Sequence, residues 1–144
     1  MATSSSERAT QAGWLVRALV YALIYVVVGV VFAQFAFHSM FVGARFWRLA
    51  AWVVSAIAFG THVQYERVTA GRSLFATGLH AATAAAIGAF GLALAAIVYR
   101  HAAGLSGSGL LGVALIIWPV MTFIPALLVG MAAATLMRPR AVAQ

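Results

Sequence analysis

Residues 74–99 read LFATGLHAATAAAIGAFGLALAAIVY, a long apolar run without a charged residue. A helix needs about 20 such residues to cross a hydrocarbon core about 30 Å thick. Three more mainly apolar runs occur in the chain, at residues 14–37, 48–66 and 110–137. The sequence therefore predicts an all-α membrane protein in which four transmembrane helices form an up-down bundle.

The segments outside these runs are too short to form a second domain. Residues 1–13, MATSSSERATQAG, are small and polar and predict a disordered N-terminal tail. Residues 14–138 predict a single transmembrane domain, followed by a short C-terminal tail over 139–144. The glycines of Gly104–Gly109, GLSGSG, predict a flexible turn between the third and fourth spans.

Arginine supplies all the basic side chains and indicates the orientation of the bundle. The chain has nine arginines and two acids, for a net charge of +7. The side that holds both termini and the middle loop carries Arg8, Arg17, Arg67, Arg72, Arg138 and Arg140, and the opposite side carries Arg45, Arg48 and Arg100. Because arginine is enriched in cytoplasmic loops, this distribution predicts cytoplasmic termini. Together with the alanine- and glycine-rich composition, it favours the inner membrane of a bacterium.

Composition also excludes several classes of function. The arginines are spread over the helix ends, so the clustered basic surface of a nucleic-acid-binding protein is missing. The absence of cysteine excludes disulfides, thiolate metal sites and cysteine nucleophiles. No phosphate-binding loop, nucleophile elbow or HExxH motif is present. We therefore expect a non-enzymatic protein with no catalytic residue, no cofactor and no nucleic-acid partner.

Small residues mark the third span as the centre of the bundle. Helices in a membrane associate through close backbone approach, which small side chains permit. The packing residues predicted on this helix are Ala81, Ala85, Gly88, Ala89 and Gly91. The same face could instead join two copies of the chain into a homodimer.

Two prolines lie within the fourth span. A proline removes a helical hydrogen bond and clashes with the preceding turn, which bends the axis. We therefore predict kinks at Pro119 and Pro125, either as static curvature that fits the bundle or as a hinge.

Polar residues that could share one site gather near the cytoplasmic end of the spans. Glu66 is the only acid outside the N-terminal tail, and His62 lies one helical turn before it. Helical rise places residues of the first and third spans at similar depth. The predicted cluster consists of His62, Glu66, His80, Arg72, Arg17 and Tyr21.

Three interpretations of this cluster remain open. In the first, Glu66 pairs with a nearby arginine and both histidines hydrogen-bond to neighbours, so the cluster fixes helix packing. The candidate arginines are Arg67, Arg72 and Arg17. In the second, Glu66 and His62 serve a small proton- or cation-coupled transporter. In the third, His62, Glu66 and His80 bind a metal, or the two histidines bind haem. The first interpretation leads to the prediction of a membrane component that works by binding lipid or a protein partner.

The stretch from Ser55 to Ala96 contains SAIAFGTHVQYERV, then GLHA at 78–81 and IGAFGLALAA at 87–96. This part of the chain resembles small four-span bacterial membrane proteins with no assigned activity. The resemblance implies a membrane bundle of the same kind and singles out the second and third spans, but it implies no reaction.

Overall fold

The computed structural model describes residues 5–105 and 110–137, which form four α-helices. These are α1 (Ser5–Phe37), α2 (Phe41–Gln64), α3 (Leu74–Ala102) and α4 (Leu110–Leu136), and a short π-helical turn, Tyr65–Thr69, follows α2. Each of the four is long and apolar enough to cross a membrane. The prediction of an all-α, four-helix membrane protein is confirmed.

The second span begins earlier than predicted. The span predicted at residues 48–66 leaves Arg45 outside, but α2 begins at Phe41 and includes both Arg45 and Arg48. Long arginine side chains near a helix end can extend to the membrane surface, so they do not terminate the helix. The connection between α1 and α2 is therefore only three residues long, from His38 to Met40.

The predicted N-terminal tail is also partly helical. The structure extends α1 back to Ser5, so residues 5–13 belong to a helix. Adding residues to an existing helix is easy because the costly nucleation step has already been taken. Residues 1–4, 106–109 and 138–144 lie outside the described part of the chain, and with them the C-terminal tail and most of the predicted GLSGSG turn.

Helix α3 lies between α1 and α4 and has the largest share of the buried positions. Helix α2 packs mainly against α1. Of the predicted packing residues on α3, Ala81, Gly88 and Ala89 are buried, and Ala85 and Gly91 are partly buried.

Glycines permit the closest approaches between helices. Gly78 on α3 faces Gly130 on α4, where an added Cβ on Gly130 would lie 3.1 Å from the Gly78 Cα. On another side of α3, Gly88 packs against Tyr25 of α1 and Gly91 against Val26. The small-residue faces of α3 are thus covered by α1 and α4 of the same chain.

The bundle is tightest at the end that holds both termini. Most buried side chains of α1, α2 and α4 lie there, as Val63 and Ala134 do when they pack on Ala81 of α3. Toward the other end, a cavity of about 310 Å³ opens between α1 and α2, lined mainly by apolar residues such as Phe32 and Trp52.

Helix α4 runs without interruption through Pro119 and Pro125. Both prolines lie inside the helix, as their positions in the sequence predict, and the kinks stay a prediction.

Candidate functional site

Glu66 is the centre of the only predicted polar cluster, and its side chain is fully buried. Arg17 of α1 donates a hydrogen bond from Nε to one carboxylate oxygen at 3.1 Å. His80 of α3 contacts the other oxygen through Nδ1 at 2.7 Å. The Nε of Arg72 lies 3.9 Å from that same oxygen. The carboxylate therefore joins α1, the π-helical turn and the start of α3.

The π-helical turn sets the position of this carboxylate. The amide of Ala70 bonds to the carbonyl of Tyr65 at 2.9 Å, five residues back instead of the usual four. Gly71 then takes a φ of +63°, in the left-handed region that glycine adopts without strain. Short π-helical insertions are frequent at functional sites in other proteins. Here the wider turn carries Glu66 between the arginines on either side.

One face of α1 covers the cluster with aromatic rings. Trp14 stacks on His80 with ring centroids 4.5 Å apart, and Tyr21 stacks on His62 at 4.2 Å. Both pairs of rings are nearly parallel, with interplanar angles of 5° and 6°. Between them Arg17 sits three residues after Trp14 and four before Tyr21, the spacing of one helical face.

His62 departs from the structural interpretation of the cluster. It is fully buried, and neither of its ring nitrogens has a hydrogen-bond partner in the described residues. The expectation that both histidines bond to neighbours is therefore wrong for His62 and correct for His80. A buried polar group without a partner costs about 1–3 kcal/mol, so His62 calls for a separate explanation.

Arg67 was predicted as a possible partner of Glu66, but its hydrogen bonds in the structure go to backbone carbonyls. Its Nε donates to the carbonyl of Ala134 at 3.3 Å, and its Nη1 donates to the carbonyl of Arg72 at 2.9 Å. Arg67 thus binds carbonyls that a helix end and a loop leave open. Its position beside the end of a span is a weak signal for this role, because the sequence does not show which helix end lies nearby.

Two further buried polar groups were not predicted. The hydroxyls of Tyr25 on α1 and Thr77 on α3 are buried and have no partner in the described residues. Tyr25 lies one turn beyond Tyr21 in sequence, and that spacing was the only signal for it.

The cluster does not have the form of a metal site. Within residues 5–105 and 110–137, no three His, Cys, Asp or Glu side chains are grouped so that they could hold a metal ion. His62 is stacked on Tyr21, and His80 uses Nδ1 for Glu66. The proposed ligand set of His62, Glu66 and His80 is therefore not assembled. What the cluster can do is neutralise a buried carboxylate and fix three elements to one another.

The chain was compared with protein-family models, with curated proteins and with solved structures, and none of the three comparisons found a match.

Proposed function

We propose that this protein is a non-enzymatic component of a bacterial inner membrane that acts by binding a protein partner or a lipid. The observation that carries the proposal is the closure of the Glu66 cluster. The carboxylate is fully buried, and each of its oxygens already contacts a partner side chain. Such a group fixes the helices to one another, and its burial keeps both carboxylate oxygens away from a substrate.

The faces available for binding belong to α2 and α4. The most apolar 18-residue stretch of each helix contains no buried residue. Trp52 on α2 and Ile116 and Met121 on α4 expose more than two-thirds of their surface. These faces are covered by lipid or by another membrane helix, because no other part of the described chain covers them.

The orientation belongs to the same proposal. Arginine is more frequent on the side of the bundle that holds both termini, and the positive-inside rule makes this side cytoplasmic. The resemblance of residues 55–96 to small bacterial four-span proteins agrees with this location.

Transport is the second candidate function, and His62 is the observation that favours it. Its two ring nitrogens are buried without partners, one turn from Glu66. Intramembrane histidines and acids form proton relays in pumps and transporters. Transport ranks second because the Glu66 carboxylate is already bonded on both oxygens.

Photo-crosslinking tests the binding proposal. A photoreactive residue replaces Trp52 on α2 or Met121 on α4 in the full chain in native membranes, and Leu94 on α3 serves as the control position. We expect Trp52 or Met121, but not Leu94, to give an adduct with one distinct protein or with lipids of one headgroup class. The proposal would be contradicted if crosslinking gave only self-dimers and lipid adducts whose headgroup proportions match those of the bulk membrane.

Proton flux separates binding from transport. We expect an imposed proton gradient to decay at the same rate in liposomes that contain the full chain as in empty liposomes. Flux that is present in the native chain and in Glu7→Gln, but is lost in Glu66→Gln, would make transport the function. Glu7 is the matched control because it is the only other acid in the chain.

A further inference from the structure

Two arginines approach Glu66 from different elements, and both do so with Nε. Arg17 lies at 3.1 Å and Arg72 at 3.9 Å. Among residues 13–105 and 112–137, the recorded contacts of both arginines with Glu66 use Nε, and no hydrogen bond from their terminal amino groups is found. Both side chains are 30% exposed, whereas Glu66 is not exposed at all. The carboxylate is therefore enclosed, and the unbonded donors remain accessible.

The charges at this position do not balance. Two guanidinium groups face one carboxylate. Arg67 lies at the same end of the bundle and bonds only to carbonyl oxygens in the described residues. Arginine is always charged in proteins, so this end of the bundle keeps a surplus positive charge.

These donors lie at the depth of lipid headgroups. Arg72 is in the connection between the second and third spans, which end at Thr69 and begin at Leu74. The Nη1 of Arg17 lies beside Gly13, the first residue of the first span. The first backbone amides of α3, next to Arg72, add the partial positive charge of a helix N-terminus.

We propose that Arg17 and Arg72 together bind a phosphate group, that of an anionic phospholipid at the membrane surface. Planar guanidinium groups bind phosphate oxygens through paired hydrogen bonds, and basic pockets between membrane helices bind anionic headgroups. The inference rests on the lipid-binding form of the proposed function. In this site Glu66 hydrogen-bonds to Arg17 and lies within ion-pair distance of Arg72, and the outer nitrogens of both guanidinium groups bind the ligand.

Lipid binding to the delipidated full chain in detergent tests the proposal. The probes are phosphatidylglycerol, phosphatidylcholine and inorganic phosphate. Inorganic phosphate is compared with chloride at equal ionic strength. Binding is measured by native mass spectrometry and by the midpoint of thermal unfolding. Arg72→Gln should weaken phosphatidylglycerol binding about tenfold, since one lost charged contact is worth about 1.4 kcal/mol. Arg72→Gln keeps the contacts of Glu66 with Arg17 and His80, so the fold should persist. Arg72→Lys, which keeps the charge, should retain part of the affinity and serves as the second variant.

Arg100→Gln is the matched control, because Arg100 is an exposed arginine at the other end of α3. Its phosphatidylglycerol affinity should equal that of the native chain. If inorganic phosphate alone raises the midpoint and Arg72→Gln abolishes this effect, the site stands and free phosphate is its ligand. Equal losses in Arg72→Gln and Arg100→Gln, or no preference over phosphatidylcholine and chloride, would overturn the site. In that case, a photo-crosslinked adduct of position 52 or 121 with one distinct protein would still support the proposed binding function.

Discussion

Glu66 tolerates burial because opposite charge and hydrogen-bond donors accompany it into the membrane. An unpaired buried carboxylate costs several kcal/mol in desolvation. That cost is met by Arg17 of α1, by His80 of α3 and by Arg72 in the loop before α3. Removing the acid would leave two guanidinium groups close together without a counter-charge, so the cluster depends on this one side chain.

The two histidines should respond in opposite ways to the same substitution. His62→Phe keeps a ring stacked on Tyr21 and removes two buried nitrogens without partners, so we expect the free energy of unfolding to stay equal or rise by about 1 kcal/mol. His80→Phe loses the contact with Glu66, and we expect a loss of about 2 kcal/mol.

Denaturation of each variant in mixed micelles, followed by helical circular dichroism, measures both changes. Each histidine variant is the control for the other, because ring size and burial are matched. A clear loss of stability in His62→Phe would show that His62 has a partner in the native protein.

At the level of single residues, spacing in the sequence predicted much of the cluster. Glu66, His62 and His80 lie near one connecting loop, and helical rise brings Arg17 to similar depth. The unbonded state of His62 could not be predicted, because it depends on which side chains of the neighbouring helices lie in the plane of its ring. The bonds of Arg67 depend in the same way on the position of α4.

Among the elements, α3 is the one whose packing follows most directly from its composition. Its alanines and glycines let α1 and α4 approach closely on different sides. In a membrane this closeness matters more than apolar burial, because lipid is as apolar as leucine. The start of α2 could not be predicted, since a hydropathy pattern does not show whether arginines lie in a loop or in the end of a helix. The π-helical turn has no signal in the sequence that we can identify.

The contact between α3 and α4 should be sensitive to a single side chain. Gly130→Val places a branched side chain against the backbone of Gly78. A Cβ added at Gly130 would lie only 3.1 Å from the Gly78 Cα. We expect a loss of about 1–3 kcal/mol in the free energy of unfolding, because the helices must separate. Gly60→Ala is the control, since nothing lies within 4 Å of an added Cβ there. Equal stability of the two variants in the same denaturation assay would show that α3 and α4 are not in close contact.

The whole molecule has one closed end and one open end. Buried side chains gather around Glu66, whereas the opposite halves of α1 and α2 enclose a cavity beside Arg48. Four spans with short connections put the start of α1 and the end of α4 on the same side as this cluster. The number of spans and their alternation were predictable from hydropathy alone, but the unequal packing of the two ends was not, because it depends on contacts between helices.

Labelling of single cysteines tests the orientation of the molecule. The chain has no cysteine, so Met40→Cys and Ala70→Cys each introduce one exposed thiol, at opposite ends of the second span, Phe41–Thr69. We expect a membrane-impermeant maleimide to label Met40→Cys in intact bacterial cells and Ala70→Cys only after permeabilisation. The reverse pattern would place the termini outside the cytoplasm, and each variant is the control for the other.

The ion pair between Arg17 and Glu66 joins residues 49 positions apart, and their order matters while the chain is being made. Arginine emerges from the ribosome first, and the acid follows with the second span. When the first two spans enter the bilayer as a hairpin, Arg17 can therefore pair with Glu66 before the third span brings His80 beside it. The order of the residues in the chain thus protects the acid at the step of biogenesis at which it would otherwise be unpaired.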